Sequence, residues 1–168
     1  MDSYMSEIRE IDLEYAKKVI ERSERLLKAT VDDVMTKNVI TVDYDDPASK
    51  AARIILENGF LSLLVMKEGK PFNTISIFEL LRLGYEETFD KNKDYLTTKV
   101  GELVQNKKFY YLPSGTLLRE AVNFMMERKL RTIPIITNQV VNGVLSIVDM
   151  VHWYRLNHEE VLIGKKPH

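Results

Sequence analysis

Two pairs of a serine and an acidic residue, each pair spanning three positions, are the side chains best suited to bind a ligand. Ser146 and Asp149 form one pair, and Ser76 and Glu79 form the other. A carboxylate can accept hydrogen bonds from two hydroxyls, and these bonds are stronger than those to a neutral acceptor. A helix beginning near Ile147 would add free N–H groups and a positive dipole end, which attract phosphate. The same spacing is that of a capping box, so both pairs also predict helix starts.

Catalytic chemistry finds little support in the side chains. The three histidines, His152, His158 and His168, have no metal-ligand spacing, and cysteine is absent. Ser146, Asp149 and His152 fall on one predicted helical segment, which cannot arrange a triad around a substrate. There is no P-loop or dinucleotide fingerprint. The sequence therefore favours a binding protein over an enzyme.

Charge and hydropathy limit the partners. The 168 residues carry 24 basic and 25 acidic side chains, a formal charge of -1, so no global field attracts nucleic acid or anionic lipid. The apolar runs Leu63–Met66 and Ile133–Ile136 are far shorter than the roughly 20 residues that span a bilayer. The first residues are polar and contain no secretory apolar segment. We expect no membrane association and a cytoplasmic location.

The elements that position the two pairs recur along the chain. In the first copy we predict a turn, a strand, a helix, two strands and a last helix that Gly84 caps, at 31–35, 38–42, 47–57, 61–66, 73–77 and 77–83. The second copy repeats them 69 or 70 residues later, at 100–104, 109–112, 117–128, 131–136, 142–147 and 147–156, with one extra residue near 113–115. A polar linker, 86–98, joins the copies.

The remaining segment, residues 8–28, has helical periodicity. Ile8, Ile11, Tyr15, Val19, Ile20, Leu26 and Leu27 are predicted to lie near one face. We interpret it as a packing or dimerisation helix, with a nucleic-acid-binding arm as the alternative. The predicted organisation is an N-terminal helix (1–29), a first repeat (30–88) and a second repeat (97–158).

The predicted fold class is α/β (α+β), with two βαββα repeats. Each repeat has about 60 residues, too few to bury a comfortable core alone. We therefore expect the two sheets to pack about a pseudo-twofold axis, with a cleft on each side between the copies.

Several segments resemble the cystathionine-β-synthase (CBS) domain. They are Val31-x-Asp-Val-Met-Thr36 with Val39–Val42, then Arg131–Ile136 with its internal proline, and the Gly-x-x-Ser-x-x-Asp pattern of Gly143–Asp149. The similarity covers residues 30–156 and occurs twice, which is the arrangement of a tandem CBS pair, or Bateman module. The resemblance implies a non-catalytic sensor of an adenosine-containing ligand (AMP, ADP, ATP or S-adenosylmethionine class), a homodimer and an unidentified regulated protein.

The resemblance also implies which residues bind. The aspartate of the pattern takes the ribose hydroxyls, the serine approaches the phosphates, and the base lies against the other repeat. For this chain the expected nucleotide site is Thr36, Thr41, Leu61, Ser62, Val144, Ser146 and Asp149.

The other cleft departs from the family pattern. Asn73, Glu79 and Gln105 stand where Gly, Asp and Thr are usual, and Leu64 replaces the strand proline. A second, weaker site is expected there, formed by Ser76, Glu79, Arg131 and Thr132. Two alternatives to the sensor stay open: an interaction module with empty clefts, and a nucleic-acid-associated regulator that uses the N-terminal helix.

Overall fold

A computed structural model describes the backbone of residues 2–163, with the side chains of residue 10 and residues 12–158. The helices are α1 (Asp2–Lys28), α2 (Ala48–Asn58), α3 (Ile77–Glu87), α4 (Val100–Val104), α5 (Leu118–Arg128) and α6 (Ile147–Ile163). The strands are β1 (Thr41–Asp43), β2 (Ser62–Lys67), β3 (Lys70–Ser76), β4 (Thr132–Thr137) and β5 (Val140–Ser146). The predicted α+β class with two copies of one unit is confirmed. Over the described backbone, no helix is both long and apolar enough to cross a membrane.

The two sheets are unequal because the first strand of the second repeat is almost lost. In the first repeat, β1 runs parallel to β2, and β2 pairs with β3 as an antiparallel hairpin. In the second, β4 and β5 form the matching hairpin, but the predicted strand at 109–112 is reduced to one parallel bridge between Leu112 and Ile135. Pro113 follows Leu112 and has no N–H to continue the ladder, so the pairing ends there.

Each repeat's opening turn packs in the core of the other repeat. Val31, fully buried, belongs to the cluster around α5 and β4, whereas Val100 and Val104 belong to the cluster around α2 and β2. Equivalent backbone bonds fix both turns: the Val31 N–H donates to Thr116 O at 2.9 Å, and the Val100 N–H donates to Asp46 O at 2.8 Å. This exchange makes each core dependent on both copies.

The pseudo-twofold axis passes between equivalent hydroxyls. Ser62 begins β2 and Thr132 begins β4, and the hydroxyls of these two residues are hydrogen bonded to each other. The clefts lie on either side of this contact.

Gly84 does not cap α3, contrary to the prediction. The helix continues to Glu87, and Tyr95 from the linker packs across it. A Cβ on Gly84 would lie 3.2 Å from Tyr95 Cε2, and the Tyr95 hydroxyl donates to the Leu80 carbonyl. The glycine therefore allows the linker to approach the helix.

Helix α1 packs against α5 and α6 with a narrower face than its sequence predicted. Val19 and Leu26 are half-buried, whereas Tyr15, Ile20 and Leu27, which were predicted for the same face, are exposed. The side chains of Ile8 and Ile11 lie outside those described.

Candidate ligand-binding cleft

One cleft beside the axis contains a cavity of about 240 Å³. Small-molecule sites usually occupy about 300–1,000 Å³, so this volume is somewhat below that range. Six of the seven residues predicted for the nucleotide site line it, namely Thr36, Leu61, Ser62, Val144, Ser146 and Asp149. Thr41 is not among the lining residues. It is exposed, begins β1 and pairs with Leu64. The preceding residue, Ile40, lines the cavity instead.

Close contact with β5 positions the entry segment of the first repeat. The Thr36 N–H donates to Val144 O at 2.9 Å, and the Val144 N–H donates to Thr36 O at 3.0 Å. Gly143 makes this contact feasible, because a Cβ there would lie 2.8 Å from Thr36 O and 2.7 Å from Met35 Sδ. The glycine of the pattern is thus needed for the close approach of two backbone segments.

Apolar side chains form one wall of the cavity. Val39 and Ile40 come from the segment before β1, Leu61 precedes β2, and Pro134 lies within β4. Flat aromatic ligands bind between such surfaces, and a few polar groups then fix their orientation. The wall is suited to a planar heterocycle.

Ser146 and Asp149 form the polar end of the cavity and also cap α6. Asp149 Oδ2 accepts from Ser146 Oγ at 2.7 Å and from the Ser146 N–H at 3.2 Å, and the Asp149 N–H donates to Ser146 Oγ at 3.0 Å. The predicted capping box is confirmed. These bonds engage Oδ2; within the described part of the chain, Oδ1 accepts no hydrogen bond and remains available to a hydroxyl ligand.

The second cleft is filled by the protein's own side chains. Asn73, only 3% exposed, donates from Nδ2 to the carbonyls of Val104 and Lys107, both at 2.9 Å. The Lys107 ammonium lies 2.8 Å from Glu79 Oε1 and donates to the Thr74 carbonyl at 3.0 Å. A cation thus already occupies the carboxylate that corresponds to Asp149.

The four residues predicted for the weaker site all have contacts with other protein groups. Ser76 and Glu79 form the expected capping box on α3, but Thr132 lines the first cavity. Arg131 is exposed, and its guanidinium carbon lies 5.6 Å from the centre of the Phe78 ring. Lys107 was not among the predicted site residues, although the repeat offset aligns it with Asn38, which lines the open cavity (38 + 69 = 107).

Opposing effects act on the Glu79 carboxyl. Burial favours its neutral form, but hydrogen bonds from Lys107 and Ser76, together with the lysine charge, outweigh burial and hold the pKa below its ordinary value of 4.5. A carboxyl with a depressed pKa stabilises the fold above its unfolded pKa. It loses this contribution as the pH falls through the folded pKa.

Glu79→Gln should lower the free energy of unfolding at neutral pH by about 1–3 kcal/mol, since it removes a charged hydrogen-bond partner from Lys107. The difference from the wild type should shrink as the pH falls below 4.5. Urea denaturation at pH 7 and in acid measures both effects. A difference that is equal at the two pH values would contradict the ion pair, and Lys107→Met should reproduce the loss at neutral pH.

The chain is similar to proteins of known sequence and structure. Residues 31–86 and 100–156 match the CBS domain family. An uncharacterized protein of Methanocaldococcus jannaschii is 22% identical over 138 residues, which are 77% of this chain and 33% of that protein. The chain therefore spans about a third of the length of this curated relative.

Two solved structures share the fold. CBSX2, crystallised in complex with AMP, is 23% identical with a TM-score of 0.65, over 76% of this chain and 96% of that one. CbpB, crystallised in complex with c-di-AMP, is 15% identical with a TM-score of 0.69, over 88% of this chain and 99% of that one. Among the side chains described here, no group of three or more His, Cys, Asp or Glu residues is placed to hold a metal ion.

Proposed function

Because the chain belongs to the CBS domain family, as a tandem pair, we propose that it is a regulatory module whose open cleft binds an adenosine-containing ligand. The observation that carries the proposal is the cavity itself. It combines an apolar wall with the Asp149 carboxylate, whose Oδ1 accepts no hydrogen bond from the described residues. The AMP and c-di-AMP complexes of the two relatives support the same ligand class.

In this proposal, the two ends of the cavity bind different parts of the ligand. The adenine ring lies against Ile40 and Leu61, and Asp149 accepts hydrogen bonds from the ribose hydroxyls. Ser146 faces the 5′ side of the sugar. A charged acceptor for hydroxyl donors is the strongest polar contact available in this cavity.

The ligand would contact both repeats, because Ile40 and Leu61 come from the first and the carboxylate of Asp149 from the second. Binding that depends on the relative position of the repeats favours one packing of them over others. A change in the packing of the repeats can reach the protein surface at Val148, which lines the cavity and is also 58% exposed. We propose that this change in the packing of the repeats passes the ligand state to a partner protein.

A thermal-shift screen of the purified chain against adenosine compounds tests the function. At least one compound should raise the melting temperature in a concentration-dependent way, because a ligand that binds only the folded state stabilises it. No shift with any adenosine compound at millimolar concentration would favour the alternative, an interaction module with an empty cleft.

We further propose that the chain forms a homodimer through the exposed faces of α3 and α6. Phe78 and Leu81 on α3 are 61% and 69% exposed, and their equivalents Val148 and Val151 on α6 are 58% and 67% exposed. Contiguous exposed apolar surface of this kind usually marks an interface. Light scattering at micromolar concentration should give twice the chain mass of 19.5 kDa. Leu81→Glu should give the monomer, and a wild type that is already monomeric would refute the dimer.

A further inference from the structure

The lining of the open cleft is negatively charged, which is unusual for a site that binds a phosphate ester. Among the side chains that the structure describes, those lining the cavity are apolar, hydroxyl or amide groups, and one carboxylate, that of Asp149, is their sole charge. A phosphate ester bound in this cleft would lie near a negative group, whereas phosphate sites normally present arginine, lysine or free N–H groups.

The basic residues next to the lining positions are engaged elsewhere. Lys107, whose ammonium contacts the carbonyl of the lining residue Thr74, also forms the 2.8 Å ion pair with Glu79 in the other cleft. Arg131 directly precedes the lining residue Thr132, but its guanidinium lies by the ring of Phe78.

Lys37 is the remaining neighbour, because it directly follows the lining residue Thr36. It is exposed. Its charge also acts on the Asp32 carboxylate, whose pKa is lowered chiefly by hydrogen bonds from Ser114 and Gly115 and, to a smaller extent, by Lys37.

The N-terminus of α6 offers a phosphate fewer amides than an uncapped helix does, because two of its first three N–H groups are already bonded. The Ile147 N–H donates to the Arg131 carbonyl at 2.9 Å, and the Asp149 N–H donates to Ser146 Oγ at 3.0 Å. The Asp149 carboxylate in the first turn also offsets the positive end of the helix dipole.

We infer that the cleft selects an adenosine compound whose 5′ substituent is uncharged or positively charged, and discriminates against nucleoside phosphates. This rests on the proposed function, since it specifies the ligand of the same site. Near an unpaired carboxylate, a 5′-phosphate should weaken binding by about tenfold or more relative to the nucleoside.

Calorimetry with the full chain tests this with five probes: adenosine, AMP, ATP, S-adenosylmethionine and S-adenosylhomocysteine. The last two differ by one methyl group and the sulfonium charge. Adenosine should bind about tenfold more tightly than AMP, and AMP more tightly than ATP. S-adenosylmethionine should bind more tightly than S-adenosylhomocysteine. Added salt should reduce all of these differences in affinity.

Two variants identify the group responsible. Asp149→Asn should lower every affinity. It should also reduce the difference in affinity between adenosine and AMP, and that between the two sulfur compounds. Lys37→Gln should leave the order unchanged. If AMP or ATP binds most tightly, the charge inference is overturned while the proposed function stands. If none of the five binds, the proposed function itself fails.

Discussion

Replacing Asp149 by asparagine should weaken binding of an adenosine ligand by roughly ten- to a hundredfold and leave the free energy of unfolding almost unchanged. The carboxylate has two tasks at once. Its Oδ2 caps α6 through Ser146, and its Oδ1 is available to the ribose. Asparagine retains an oxygen for the cap but loses the charge that strengthens the ribose contact. Calorimetry and urea denaturation on the same preparations separate the two effects.

Three comparisons sharpen this test. Asp149→Ala should lose the same affinity and, in addition, about 1 kcal/mol of stability from the missing cap. Deoxyadenosine analogues that lack the relevant hydroxyls should bind the wild type about as weakly as the intact ligand binds the variant. Glu79→Gln changes the equivalent capping box in the filled cleft and removes the ion pair with Lys107, so it should lower stability without changing affinity. If the Asp149 variants are less stable than the wild type but bind the ligand with unchanged affinity, Asp149 acts only as a helix cap.

Gly143→Ala should destabilise the fold by about 1–3 kcal/mol and also weaken ligand binding. The added methyl would lie 2.8 Å from the Thr36 carbonyl oxygen, which belongs to the backbone and cannot rotate away. The paired bonds between Thr36 and Val144 would have to lengthen, and Thr36 would move away from the cavity.

In the filled cleft, the position of Gly143 carries a side chain. Asn73 stands at the position equivalent to Gly143 (73 + 70 = 143). Its side chain bonds the Val104 and Lys107 carbonyls.

Gly84→Ala is a matched control for the Gly143 substitution. The three atoms nearest to its methyl would all belong to the Tyr95 side chain and not to the backbone, and alanine is favoured in a helix by about 1 kcal/mol over glycine. Denaturation and calorimetry of both variants give the measurement. Equal affinity for the ligand in Gly143→Ala and the wild type would contradict the role of this contact.

The sequence was most informative where local patterns repeat. The 69- to 70-residue offset predicted the two copies, and the serine–carboxylate spacing predicted both capping boxes. Even the extra residue near 113–115 has a structural counterpart: the Ser114 hydroxyl and the Gly115 N–H donate to the Asp32 carboxylate, both at 2.6 Å. These features depend on neighbours in the chain or on a regular period.

What the sequence did not predict depends on contacts between distant segments. The ion pair of Lys107 with Glu79 joins residues 28 positions apart (107 − 79 = 28), and neither residue has a distinctive local pattern. Gly84 resembled a helix cap because the approach of Tyr95 depends on how the linker returns. Thr41 was placed in the site by family pattern alone, whereas pairing with β2 directs the preceding residue, Ile40, to the cavity.

We propose that one cleft per chain binds the ligand and that Lys107 closes the other. The most direct test is the calorimetric stoichiometry of the tightest adenosine ligand with the wild type, Asp149→Asn and Glu79→Gln. We predict one site per chain in the wild type and in Glu79→Gln, and strongly weakened binding in Asp149→Asn. Two equivalent tight sites per wild-type chain, or binding that Glu79→Gln abolishes and Asp149→Asn retains, would contradict the claim.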